Sequence, residues 1–150
     1  MFSSGNCTCG ERVKGMLDPL ISIRLKEQGR VFWPGQELDC EYQVDAVEQA
    51  DLRAVEASVM WYTEGKGDED LGIHYFERRV AADRTTGDLR PMRHFRTTLP
   101  RTPLSYSGIL VKIRWCVRVR IFLGRGRDAF LEVPFQLGDA PVIYAAEVTE

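Results

Sequence analysis

The sequence predicts an all-β domain, an antiparallel β-sandwich of the immunoglobulin-like kind, on three observations. Apolar and polar residues alternate in several separate segments, and a period of two marks a strand with one buried face. Turn-forming residues interrupt that alternation at frequent intervals. No long segment shows the 3.6-residue periodicity of an amphipathic helix. About eight short strands punctuated by Gly and Pro bury their apolar faces by packing as two sheets.

Residues 1–18 are polar, with Gly5, Gly10 and Gly15 spaced through them, and read as a flexible lead-in. The sandwich then occupies residues 19–150. Ile21, Ile23 and Leu25 alternate in the first segment. Across 37–46, Leu38, Cys40, Tyr42, Val44 and Ala46 face one way, and Glu37, Asp39, Glu41, Gln43 and Asp45 the other. The stretch 49–56 is mixed and compatible with a helical turn, after which Val55, Ala57, Val59 and Trp61 alternate. Segments at 73–80, 93–99, 110–123 and 129–137 follow, with 142–148 as a last strand. Between them lie Pro34-Gly35, the Gly-Lys-Gly-Asp run at 65–68, Thr86-Gly87-Asp88, the Pro-bounded stretch 100–103 and the Gly-Arg-Gly-Arg run at 124–127. Gly permits positive φ there, Pro fixes φ, and Asp bonds its own backbone.

The longest alternating run identifies the centre of the fold. Ile109, Val111, Ile113, Trp115, Val117, Val119 and Ile121 share one face. Lys112, Arg114, Cys116, Arg118 and Arg120 share the other. One face this apolar belongs in a core, and the sequence Ser105-Tyr106-Ser107-Gly108 before it sets a sharp chain reversal.

Composition narrows the function classes. With 150 residues, the chain buries roughly 70% of its unfolded surface and needs no staple. Apolar residues make up 44% and charged residues 28%, as in ordinary globular proteins. Twenty basic against 22 acidic residues give a net charge of -2, which argues against a nucleic-acid partner. No apolar run reaches the roughly 20 residues of a membrane helix. The N-terminus lacks the apolar stretch of a signal peptide, so the expected compartment is cytoplasmic and structural disulfides are not expected.

Two motifs carry a family resemblance. Val31-Phe32-Trp33-Pro34-Gly35-Gln36-Glu37-Leu38 resembles the aromatic, x, Pro-Gly-x, apolar start of an early arrestin strand. Phe95-Arg96-Thr97-Thr98-Leu99-Pro100 followed by Pro103-Leu104-Ser105-Tyr106-Ser107-Gly108 resembles the arrestin Phe-x-x-x-Leu-Pro and Pro-x-Ser-Tyr-x-Gly signature. The pieces fall in the family's order across residues 20–137. The resemblance implies a single arrestin-like lobe, of a bacterial or otherwise divergent member, and a binding scaffold in place of an enzyme. The phosphate-sensing polar core of true arrestins needs two lobes, and one lobe does not imply it.

Candidate chemistry centres on charge. Lys112, Arg114, Arg118 and Arg120 form a candidate partner-binding face for an acidic or phosphorylated peptide or an anionic lipid, because Arg binds oxyanions in bidentate fashion. The competing reading is internal. Glu37, Asp39, Glu41 and Asp45 form an equally regular acidic face, Glu132 can join it, and neighbouring strands would neutralise both. Cys40 and Cys116 point to opposite sides of their strands, so an immunoglobulin-type bridge through them is disfavoured. Cys7-Thr8-Cys9 lacks two further ligands for zinc, and His74 and His94 are not linked to it. No nucleophile motif, phosphate-cradling loop or metalloprotease motif occurs, so no catalytic, cofactor-binding or metal residue is assigned and no cofactor is expected. His74 beside Glu77 reads as surface decoration. Alternation buries Trp61 and Tyr75 and sets Tyr62 and Phe76 on the opposite face, which reads either as core plus one outer apolar pair or as a partner patch.

The expected function is a non-catalytic scaffold or adaptor for a protein partner of unknown identity. It would bind through a strand edge or the charged sheet faces, and a homodimer through a sheet edge fits the same logic. The alternative is a membrane-peripheral module that meets anionic lipid through the basic loop 124–127 and Phe122.

Overall fold

The computed structural model describes residues 19–26, 30–81 and 87–138. The expected lead-in at 1–18 and last strand at 142–148 lie outside the described residues. Within them the strands are β1 (Leu20–Leu25), β2 (Val31–Phe32), β3 (Glu37–Asp45), β4 (Leu52–Gly65) and β5 (Leu71–Val80). They continue with β6 (Arg93–Thr98), β7 (Tyr106–Ser107), β8 (Val111–Leu123) and β9 (Asp128–Leu137). Two 3-10 turns, Gln49–Asp51 and Gly124–Gly126, complete the set.

The strands form two sheets. The larger has the order β2-β9-β8-β4-β5, and the smaller β1-β3-β6. The short β7 lies along β8 where β9 stops, with Tyr106 opposite Ile113. Ser105 ties that junction, its N–H donating to the Leu137 carbonyl at 2.8 Å and its Oγ accepting the Leu137 N–H at 2.7 Å. Every pairing is antiparallel except that of β2 with β9, where Leu137 stands opposite Phe32.

β8 is central in the larger sheet, as its apolar face demands. Trp115, Val117, Val119 and Ile121 point inward and are buried, beside Val55, Ala57 and Val59 of β4. The smaller sheet answers with Leu38, Cys40, Tyr42, Val44 and Phe95. Each fully buried aliphatic or aromatic side chain contributes about 1.5–3 kcal/mol, so the shared core holds the sheets together. Trp115 keeps its one polar atom satisfied, its Nε1–H donating to the Pro103 carbonyl at 2.7 Å. Tyr75 stacks on Phe95 across the sheets at 4.7 Å between centroids.

Local details depart from the sequence pattern for physical reasons. The helical turn expected at 49–56 is one 3-10 turn, because Leu52, Val55, Ala57 and Val59 bury more surface in a strand. Ala46 does not extend the inward row of β3, since it adopts φ 60 and turns the chain. Tyr106-Ser107 is a strand, not the reversal, which falls instead at Ile109-Leu110. Ile109 therefore leaves the apolar face of β8 and is exposed. A β-bulge in the β4–β5 pairing places Met60 opposite Ile73 and Val59 opposite Tyr75, with His74 as the extra residue.

Candidate partner-binding face

The outward face of the larger sheet gathers all four basic residues singled out in β8. Arg118 donates from Nε to Glu132 of β9 at 2.7 Å. Arg120 donates to Asp128 at 2.8 Å and Arg114 to Glu64 of β4 at 2.6 Å. Lys112 stands opposite Glu64 in the register. Arg78 of β5 pairs with Glu56 of β4 on the same face. Arginine planes cover aromatic rings here: Arg120 and Arg78 lie 4.7 and 5.2 Å from the Phe122 centroid, and Arg118 5.3 Å from Phe130.

The three arginines are thus paired within their own sheet, and Glu132 joins as the pattern allowed. The acidic row of β3 does not. β3 lies in the smaller sheet, where Glu41 pairs with Arg24, and Asp39 with His94 and Arg96. Alternation fixes which side of its strand a residue occupies, but not which sheet the strand joins.

Register brings an apolar row across this face that no single strand displays. Pro134 of β9 stands opposite Cys116 of β8, Cys116 opposite Met60 of β4, and Met60 opposite Ile73 of β5. The adjoining row on one side is Arg114, Tyr62 and Leu71; on the other it is Glu132, Arg118, Ser58 and Phe76. Met60 and Cys116 are only 2% and 1% exposed although no sheet packs over them among the described residues. Leu71, Ile73 and Phe76, at 57%, 55% and 49%, leave the row's β5 end open to water. The outward face of the smaller sheet carries Arg24, Asp39, Glu41, Gln43, Asp45, His94 and Arg96 and is polar.

The remaining candidates divide between the core and the surface, and His74 is exposed. Trp61 and Tyr75 pack against the core, while Tyr62 and Phe76 lie outward, as alternation requires. His74 Nε2 lies 2.8 Å from the Thr98 carbonyl oxygen and 3.1 Å from Thr97 Oγ1, tying β5 to β6. Glu77 is not its partner; it accepts hydrogen bonds from Tyr42 at 2.5 Å, Tyr75 at 2.8 Å and Arg93 at 3.3 Å. Burial alone raises the Glu77 carboxyl, but these donors outweigh it and hold the group below its ordinary value. Cys40 and Cys116 are unpaired buried thiols, each pushed up to about 12, chiefly by burial. Cys7 and Cys9 lie outside the described residues. Among the described residues, no three His, Cys, Asp or Glu side chains gather as a metal-binding group.

Comparison with known proteins shows the fold and no more. No family model and no curated protein matches the sequence. Among solved structures, the chain is similar to Spo0M, a sporulation control protein from Bacillus subtilis, with a TM-score of 0.57 and 16% identity. The match covers 82% of this chain and 50% of that one, so this chain spans about half the length of Spo0M. The shared architecture is the arrestin-like β-sandwich. No helix among the described residues is long and apolar enough to cross a membrane.

Proposed function

We propose that this chain is a non-catalytic interaction scaffold that docks a protein partner on the outward face of its larger sheet. The apolar row ending in Ile73, flanked by Leu71 and Phe76 and bordered by paired arginines, carries this reading. Protein interfaces combine an apolar centre with a polar, Arg-rich rim, and a few aromatic and Arg side chains carry most of the energy. Burying Leu71, Ile73 and Phe76 would contribute about 1.5–3 kcal/mol each, discounted for their partial exposure. Arg114, Arg118 and Arg120, with Lys112 beside them, act as rim and orient the partner. Their acidic neighbours already occupy them, so an oxyanion must compete for their donors.

Docking on the face is favoured over strand addition at the β5 edge. The bulge at His74 and the charged run Glu77, Arg78 and Arg79 are features that discourage edge pairing. A homodimer through that edge is therefore the lesser form of the same proposal. The likeness to a sporulation control protein supports a regulatory role over a catalytic one. Unpaired Cys40 and Cys116 sit comfortably with a reducing, cytoplasmic setting.

Immobilised protein should retain a specific partner from native lysate. Ile73→Asp/Phe76→Asp should lose it and Arg118→Glu/Arg120→Glu should weaken it, both with an unchanged far-ultraviolet circular dichroism spectrum. Normal capture by both variants would remove this face as the site. Light scattering on the same samples reports any edge dimer.

A further inference from the structure

We propose that the β7–β8 hairpin tip is a lipid-interface anchor, separate from the face described above, whose ligand is the surface of a zwitterionic phospholipid bilayer. Gly108 and Val111 close this hairpin, the Gly108 N–H donating to the Val111 carbonyl at 3.0 Å, and leave only Ile109 and Leu110 at the tip. Two-residue hairpin loops ordinarily carry Asn, Asp or Gly with positive φ. Here neither residue has positive φ, and both are 66% exposed, the most exposed large apolar side chains among the described residues.

The tip is held in place. The Lys66 N–H donates to the Leu110 carbonyl at 3.2 Å, and a Cβ on Gly65 would stand 2.1 Å from that oxygen. Behind the tip the ring of Tyr106 covers Gly108, which a Cβ would bring within 2.5 Å of it. The arrangement runs from an aliphatic tip back to the ring of Tyr106 over Gly108. Side chains order themselves this way at a bilayer interface, with aliphatic groups deepest and Tyr at headgroup depth.

Charge selects the kind of surface. Lys66 and Lys112 are opposed by Asp68, Glu69 and Asp70 on the neighbouring β4–β5 hairpin, two cations against three anions. This end has no positive field to draw it to anionic lipid. Its affinity rests on apolar burial, which salt does not screen.

Flotation of the full chain with phosphatidylcholine vesicles tests the proposal. The bound fraction should be detectable at millimolar lipid and unchanged between low and high salt. It should fall at least about tenfold in Ile109→Ser/Leu110→Ser. Arg118→Glu/Arg120→Glu should bind as the wild type does, which separates this site from the proposed partner face. Leu110→Trp gives an independent signal, a blue shift of emission with vesicles, that does not depend on losing a property. No flotation with phosphatidylcholine, or binding that needs phosphatidylserine and vanishes with salt, would overturn the proposal. So would vesicle binding that survives in the tip variant. A protein from lysate retained through the tip without any vesicle binding would replace the bilayer with an apolar pocket.

Discussion

Glu77 is where the two sheets share a charge. It projects from β5 and takes donors from Tyr42 of β3, Tyr75 of its own strand and Arg93 of β6. Tyr42→Phe removes the shortest of these and leaves the hydroxyl's bond to Arg79 unmade as well, so it should cost about 1–3 kcal/mol in urea unfolding. The pH dependence follows from the direction of the Glu77 shift. A carboxyl held lower in the folded state than its unfolded value of about 4.3 stabilises fully above that value. The contribution fades as pH falls through the lower folded value. Glu77→Gln should therefore destabilise the domain at neutral pH, with a difference from wild type that shrinks in acid; a constant gap down to the acid limb would refute the assignment. The thiols give a second reading at this scale. In a Cys7→Ser/Cys9→Ser variant, Cys40 and Cys116, both pushed up to about 12 by burial and neighbouring carboxylates, should react with a thiol reagent at pH 8 only on unfolding. Rapid labelling of the native protein would contradict their burial.

At the scale of elements, legibility in the sequence tracked length and period. β8, β3 and β4 are long enough for alternation to name both faces, and the structure places Trp115, Val117 and Val119 inward and Arg114, Arg118 and Arg120 outward accordingly. β2 and β7 contain two residues each and carry no period to detect. The apolar row was illegible for another reason. Pro134, Cys116, Met60 and Ile73 come from four strands, and only register aligns them. A bulge makes this harder still, because beyond His74 the parity of β5 reverses and Ile73 and Phe76, three apart, share the outward face. Turn glycines show the same contrast between local and long-range demands. Gly35 has φ +86 with nothing within 4 Å of a Cβ, so Gly35→Ala meets only the local left-handed penalty of about 1–2 kcal/mol. Gly65, at φ +137, also meets the Leu110 backbone. Gly65→Ala should cost more in a thermal melt and alter the exchange rate of the Lys66 amide, whereas equal losses in the two variants would show that the hairpins yield freely.

The molecule as a whole is one core between two unlike surfaces. The outside of the smaller sheet is polar, whereas on the larger one Leu71, Ile73 and Phe76 leave the β5 end of the apolar row open to water, where the proposed partner face lies. The interior makes a different demand, because neither sheet can bury its inward face without the other. Leu38 of β3 is fully buried and belongs to the same cluster as Trp115 and Val117 of β8. Leu38→Ala should therefore cost about 2–5 kcal/mol, a large part of the roughly 5–15 kcal/mol by which a domain of this size is stable. Its effect should not stay in the smaller sheet. In a Trp33→Phe/Trp61→Phe background, which leaves Trp115 as the one tryptophan, the far-ultraviolet circular dichroism melt, which reports all strands, and the Trp115 fluorescence should shift together to lower temperature in the variant. If the strand signal moved while the Trp115 signal kept its wild-type midpoint, the larger sheet would be stable on its own. Its inward face would then need some other cover, and the shared core would not be what holds the sandwich.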